Sequence, residues 1–271
     1  MPGIPGQARH PLKVLFIGDI VGRPGRTAVK ALLPRFIDRN RIDFVIANGE
    51  NASGGFGITA DTAKELLSSG IDVITSGNHI WDKKDIIPFI SKEDRLLRPL
   101  NFPPGVPGFG SVVASLPDGR TIGVINLQGR VFMTATDCPF RAAEAEAGRM
   151  RQRTASIIVD FHAEATSEKV ALGYYLDGKV SAVIGTHTHV QTADEKVLPG
   201  GTAYITDAGM TGPAESVIGV RKEQIVEKFL TQMPTRFEIP SGPVLLSALV
   251  MDINEKDGRC SSVLRVQLTH P

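Results

Sequence analysis

The sequence predicts an α/β fold of repeated strand and helix units, on three observations. Apolar runs of strand length recur along the first third of the chain, at residues 12–17, 44–47 and 71–75, each too short for a buried helix. Stretches with helical periodicity, residues 27–38 and 59–69, separate them. At the end of each run stands a residue able to carry chemistry: Asp19, then Glu50 with Asn51, then Asn78 with His79. In an open α/β sheet, ligands bind at the carboxyl ends of the strands. The repetition therefore marks a site as well as a fold.

Taken in order, residues 12–17 are apolar apart from Lys13 near the start, the pattern of a buried parallel strand, and Gly18-Asp19 closes them. Gly22-Arg23-Pro24-Gly25-Arg26 reads as a tight basic turn. It is either a plain turn or a phosphate cradle, and it lacks the glycine and lysine spacing of a Walker or dinucleotide loop. The helix over 27–38 presents Val29, Leu32, Leu33, Phe36 and Ile37, and Pro34 is a place for it to kink or stop. The strand over 44–47 runs into Asn48-Gly49-Glu50-Asn51-Ala52-Ser53-Gly54-Gly55. A carboxylate and a carboxamide there offer oxygen ligands to a cation, although the same residue types also form turns for conformational reasons alone. Gly70 stops the helix over 59–69. Residues 71–75 then end in Gly77-Asn78-His79-Ile80-Trp81-Asp82. Asn78 offers an amide oxygen, while the adjacent His79 points elsewhere and is free to act as acid or base. Asp82 either orients His79 or caps a helix over 83–90, and capping is the expectation.

A loop rich in proline and glycine, 96–110, is expected at the rim of the site, and residues 111–116 and 121–127 pair as a hairpin around Pro117-Asp118-Gly119-Arg120. Residues 128–153 contain an Ala/Glu-rich helical piece, 141–151, expected to form a cap or an interface. The strand over 155–161 ends at His162, a helix spans 167–176, and the apolar run 180–184 leads into Gly185-Thr186-His187-Thr188-His189. Residues two apart at an extended strand end share a side, so His187 and His189 aim at one small region of space. The strand over 202–206 ends in Asp207-Ala208-Gly209-Met210, expected to close the site sterically, and 221–230 reads as a helix. The terminal hairpin, Val244–Ile253 with residues 261–268, is expected to complete a second sheet.

Composition narrows the function classes. A chain of 271 residues without a long polar linker reads as one domain, 1–271, with a flexible segment at 1–11. Lysine plus arginine number 30 against 29 aspartates and glutamates, so no strong field draws the chain to nucleic acid or an acidic membrane. Its partner is expected to be a small molecule, and the chain to assemble as a homo-oligomer. Cys138 and Cys260 lie far apart and read as free thiols of a reducing compartment. No stretch approaches the roughly 20 apolar residues of a membrane span. The expectation is a soluble, cytoplasmic protein.

The strand ends together supply Asp19, Glu50, Asn51, Asn78, His79, His162, His187 and His189. Seven of these can ligate metal, too many for one open catalytic ion and suited to two ions sharing a carboxylate. Two ions about 3.5–4 Å apart clamp the attacking and leaving oxygens of a phosphoryl displacement and lower the pKa of a bridging water. Phosphoester hydrolysis is the natural chemistry. Mixed carboxylate, amide and imidazole donors suit iron, manganese or zinc, and no cysteine stands at any of these positions to suggest a structural zinc.

In the order Gly18-Asp19, Gly49-Glu50-Asn51, Gly77-Asn78-His79, His162 and Gly185-Thr186-His187-Thr188-His189, the chain resembles the calcineurin-like metallophosphoesterases, and specifically their bacterial YmdB-type branch. The resemblance runs from Leu12 to the terminal hairpin. Two features depart from the wider superfamily and match that branch: Ile20-Val21 follows Asp19 where Asp-x-His is usual, and Glu50 replaces a bridging aspartate. The resemblance implies a four-layer αββα sandwich with two mixed sheets. It implies one ion, iron or manganese with zinc as an alternative, held by Asp19, Glu50, Asn51 and His189. A second would be held by Glu50, Asn78, His162 and His187, with Glu50 bridging and His79 as proton donor. The implied activity is hydrolysis of 2′,3′-cyclic, and possibly 3′,5′-cyclic, nucleotides. Two other readings stay open: a phosphatase of different specificity, and a regulatory protein that binds a cyclic nucleotide with little turnover.

Overall fold

The computed structural model describes residues 10–271, so most of the segment expected to be flexible, residues 1–9, lies outside the described residues. The first half runs β1 (Leu12–Ile17), β2 (Asp19–Ile20), α1 (Gly22–Asn40), β3 (Phe44–Asn48), α2 (Ala60–Ser68), β4 (Val73–Thr75), α3 (Ile87–Ile90), β5 (Ser111–Ser115) and β6 (Thr121–Gln128). The second half runs α4 (Pro139–Met150), β7 (Ile157–His162), α5 (Thr166–Leu176), β8 (Ala182–Thr186), β9 (Lys196–Val197), β10 (Ala203–Ile205), β11 (Met210–Pro213), α6 (Lys222–Thr231), β12 (Val244–Ile253) and β13 (Cys260–His270).

The strands make two mixed sheets. One has seven strands, in the order β2-β11-β12-β1-β3-β4 with β13 on the free edge of β12; the other has six, in the order β5-β6-β7-β8-β10-β9. Alternation along each strand builds the layers. Val14, Phe16, Phe44 and Ile46 of the first sheet meet Val124, Ile158, Ala182 and Ile184 of the second in a shared inner core. The intervening Leu15, Ile17, Val45 and Ala47 face outward onto Val29 and Leu33 of α1 and Leu66 of α2. Ile125, Val159 and Phe161 likewise face α4 and α5, through Ala143, Ala147, Leu172 and Leu176. The result is the four-layer αββα sandwich. Each fully buried Phe or Ile in it contributes roughly 1.5–3 kcal/mol relative to exposure.

Following the inward register to the strand ends explains where the site falls. Phe44 and Ile46 are followed two residues later by Asn48, Val124 by Asn126, Ile158 by Asp160 and His162, and Ile184 by Thr186, all buried. One end of the inter-sheet space is therefore polar while the rest is hydrocarbon.

Several local expectations are corrected. Gly22 to Arg26 form the first turns of α1 instead of a separate turn. Pro24 is tolerated there because a first helical turn needs no amide donors, and Arg26 is engaged by Glu65 (3.0 Å) and the carbonyl of Ala52 (2.5 Å). Pro34 lies inside α1 without ending it, and the helix runs on to Asn40 and closes at Arg41 in the left-handed region. The helix expected over 83–90 is a 3₁₀ turn, Lys84–Ile86, followed by the short α3, and Asp82 caps neither. The terminal hairpin belongs to the first sheet. Strand β12 buries Leu246 and Ala248 on the outer face and Leu249, Met251 and Ile253 on the inner, and its backbone is paired with β1 on one edge and β13 on the other. Residues 141–151 fall within α4 and its C-terminal cap, on the outer face of the second sheet.

Candidate metal centre

Eight residues singled out from the sequence meet at the polar end of the sandwich. Asp19 stands on β2, Glu50 and Asn51 follow β3, Asn78 and His79 follow β4, His162 ends β7, and His187 and His189 follow β8. His162 Nε2 lies 3.0 Å from Glu50 Oε1, 3.0 Å from His187 Nδ1 and 3.1 Å from Asn78 Oδ1. On the other side, Asn51 Nδ2 lies 3.1 Å from Glu50 Oε1 and 3.2 Å from His189 Nε2, which is itself 3.8 Å from Asp19 Oδ1. Glu50 is the link between the two groups. Glu50, His162 and His187 converge closely enough to share one cation.

The donor chemistry fits metal. Asp19 Oδ1 and Asn51 Oδ1 are buried without a hydrogen-bond partner, a costly arrangement that a cation would relieve. Burial pushes the Glu50 carboxyl up, but the charge and hydrogen bond of His162 outweigh it and hold the group at about 2. Burial pushes His162 down, and Glu50 outweighs that in turn, raising the imidazole to about 9. The Asp19 carboxyl is raised, chiefly by burial. Burial and the charge of His162 drive His187 down to about 3, so its ring stays neutral with a lone pair to give. Two buried carboxylates, Asp19 and Glu50, against these imidazoles make a centre that favours positive charge.

The supports around the centre are not marked by any motif. Asp160 accepts from the Asn48 amide (3.0 Å) and the Thr186 hydroxyl (2.7 Å), and the Thr186 hydroxyl also meets His162 Nδ1 at 2.9 Å. This fixes the ring so that Nε2 faces the cluster. His187 and His189 sit at φ of 101° and 65°, a left-handed region that costs non-glycine residues. Their loop is held by Asp207, which accepts from the Thr188 amide and hydroxyl and from Lys169, so Asp207 is a buried anchor and not the steric closure expected. Gly77 passes so close that a Cβ would overlap His162 and Glu50 Oε2. His79 keeps its side chain out of the convergent trio: its Nδ1 lies 2.8 Å from Asp82 Oδ2, and its ring stands edge-on to Phe56 at 5.1 Å. Asp82 therefore orients His79 and does not serve as the helix cap expected of it.

This fold, with acids, amides and imidazoles gathered at its strand ends, defines a metallophosphoesterase. The family model for YmdB-like proteins matches residues 15–266, and the chain belongs to that family. It is 48% identical over 255 residues to the 2′,3′-cyclic-nucleotide 2′-phosphodiesterase of Bacillus subtilis, covering 94% of this chain and 96% of that one. Among solved structures, a hypothetical protein from Thermus thermophilus superposes with a TM-score of 0.89 at 41% identity, covering 96% of this chain and 100% of that one. A structure described as a novel phosphatase from Mycoplasma pneumoniae also gives 0.89, at 32% identity, covering 96% and 94%.

Proposed function

We propose that the chain is a metal-dependent phosphodiesterase that opens 2′,3′-cyclic nucleotides, with 3′,5′-cyclic nucleotides accepted by the same site. The observation that carries this reading is the position of Glu50, whose carboxylate joins the Asp19, Asn51, His189 group to the Asn78, His162, His187 group. The named activity of the Bacillus subtilis relative supports it. Asp19, Glu50, Asn51 and His189 would hold one divalent ion and Glu50, Asn78, His162 and His187 a second, iron or manganese best suiting these donors. Such ions supply Lewis acidity toward the phosphoryl oxygens and lower the pKa of a nucleophilic water.

The chain's own residues do the rest. His79 lines the cavity beside Glu50 and gives a proton to the departing 2′ oxygen as the phosphorus–oxygen bond breaks, leaving a 3′-phosphate. Asp82 holds Nδ1 of that ring and so keeps Nε2 available for the transfer. Among the described residues no helix is long and apolar enough to cross a membrane.

The test is hydrolysis of 2′,3′-cyclic AMP, with 3′,5′-cyclic AMP in parallel, by protein stripped of metal and reloaded with manganese or iron. Metal-restored release of the 3′-phosphate is expected. Absence of turnover in protein shown to bind two ions per chain would overturn the reading in favour of another phosphoester or of binding alone.

A further inference from the structure

The cavity that holds the polar cluster also has apolar walls that the chemistry proposed above leaves unused. It encloses ≈ 380 Å³ and is lined by Phe56, Ile218, Ile225, Phe237 and Ile239 as well as by Glu50, Asn51, His79, His187 and His189. Phe56 and Ile218 are 44% and 52% exposed. Large apolar groups left open beside a polar centre are characteristic of a ligand site.

These walls are built into the site. Phe56 rides on the glycine loop after Glu50 and meets the ring of His79 edge-on. Ile218 holds φ of 46°, a strained value for a β-branched residue, and its carbonyl lies 3.0 Å from His189 Nδ1. The same strained residue thus fixes a metal-binding imidazole and turns an apolar side chain to the cavity. Ile239 packs on Gly22, where a Cβ would overlap its side chain, and closely on Gly55, and this seats the segment after α6 against the glycine loop. Apart from the proposed ligands and His79, the polar side chains of the lining are Glu164, Thr188 and Glu238. Glu164 faces His187 Nε2 at 3.1 Å and Glu238 faces Arg221 Nε at 3.4 Å. The remaining side chains of the wall are hydrocarbon and aromatic ring, with glycine backbone between them at Gly54, Gly55 and Gly219.

We infer that Phe56, Ile218, Phe237 and Ile239 form a nucleobase subsite that receives the flat face of the base and does not read its edge. This rests on the cyclic-nucleotide reading above. Stacking is tolerant of sequence because every base has a π face, and it favours the larger purines. The enzyme therefore selects for a base-bearing cyclic phosphodiester without selecting a particular base.

The experiment compares kcat/KM for 2′,3′-cyclic AMP and for glycerol 1,2-cyclic phosphate, which carries the strained diester without a base, in the metal-loaded full chain. In wild type the nucleotide is expected to be preferred. Phe56→Ala and Phe237→Ala each lower that preference by roughly 10- to 100-fold, and Phe56→Trp retains it. The four 2′,3′-cyclic nucleotides fall within about tenfold of one another, purines ahead. A preference unchanged in both alanine variants overturns the subsite, and selection of one base by more than about a hundredfold overturns the edge-blind reading. Calorimetric titration of adenosine 3′-monophosphate and glycerol phosphate into the same samples separates the two proposals. If wild type hydrolyses neither diester, the phosphodiesterase reading fails. Even then, tighter binding of the nucleotide that is lost in Phe56→Ala supports the subsite, and equal binding of the two compounds overturns it.

Discussion

Lys169 Nζ lies 2.8 Å from Asp207 Oδ2, and both side chains are buried between α5 and the loop that follows β10. The lysine also donates to the carbonyl of Thr186 at 2.7 Å, and Asp207 accepts from the amide of Thr188 at 3.0 Å. The ion pair therefore grips both ends of the turn that carries His187. Burying two charges is expensive, and the hydrogen bonds that complete each group offset the cost. What the pair secures is a backbone that His187 and His189 would not adopt unaided.

Lys169→Met should therefore destabilise the protein by about 3–5 kcal/mol, because it leaves the Asp207 carboxylate buried without its counterion. Urea unfolding of the two proteins measures this, and a loss under about 1 kcal/mol would remove the pair from its supporting role.

Gly77→Ala should spoil the centre while leaving most of the fold. The added methyl would overlap the His162 ring and the Glu50 carboxylate. Those two groups must then separate, so the loss falls on metal binding. Metal analysis of dialysed protein should show ions missing, with near-native circular dichroism; full occupancy would mean the strand end gives way without disturbing the ligands.

Acid should weaken the sandwich at the opposite end of β3. The buried Arg120 reaches Asp43 at 2.7 Å, tying the turn between β5 and β6 to the start of β3. Burial pushes the Asp43 carboxyl up, but its hydrogen bonds from Arg120, the Lys13 amide and His10 prevail and hold it below the usual carboxylate value. A depressed folded pKa means that the unfolded chain binds the proton more readily, so stability rises with pH there. The contribution is complete above the unfolded pKa of about 3.9 and is lost as pH falls through the lower folded value. In urea unfolding at a series of pH values, Asp43→Asn should be weaker than wild type at neutral pH, with the gap narrowing below about pH 4. A gap constant down to about pH 2 would assign the cost to shape alone.

The site is legible where a strong residue type follows an apolar run. Asp19, Glu50, His162 and the two histidines after β8 stand out because carboxylates and imidazoles rarely end buried strands by accident. Their supports are less visible, although one signal exists: Asp160 shares the inward register of Ile158 and His162, and strict alternation places it inside. Nothing comparable marks Phe56, Ile218, Phe237 and Ile239, which come from three irregular segments, after β3, after β11 and after α6, that no periodicity relates to one another. The placement of the terminal hairpin is hidden for a different reason. Antiparallel partners can join either sheet, and what decides is the long-range pairing of β12 with β1, which no local pattern shows.

His79 supplies the sharpest test of the mechanism, because its role depends on the leaving group. If it protonates the departing oxygen, His79→Ala should lower kcat on 2′,3′-cyclic AMP by roughly 10²–10⁴-fold while metal content stays full, since the ring is not among the convergent donors. A p-nitrophenyl diester departs as a stable phenolate and needs little proton transfer, so the same variant should lose far less on that substrate. Asp82→Asn, which weakens the contact at Nδ1 without removing the ring, should lie between the two proteins on the cyclic nucleotide and near wild type on the nitrophenyl ester. Equal losses on both substrates would instead mean that His79 positions the phosphoryl group, and the proton would have to reach the 2′ oxygen by another route.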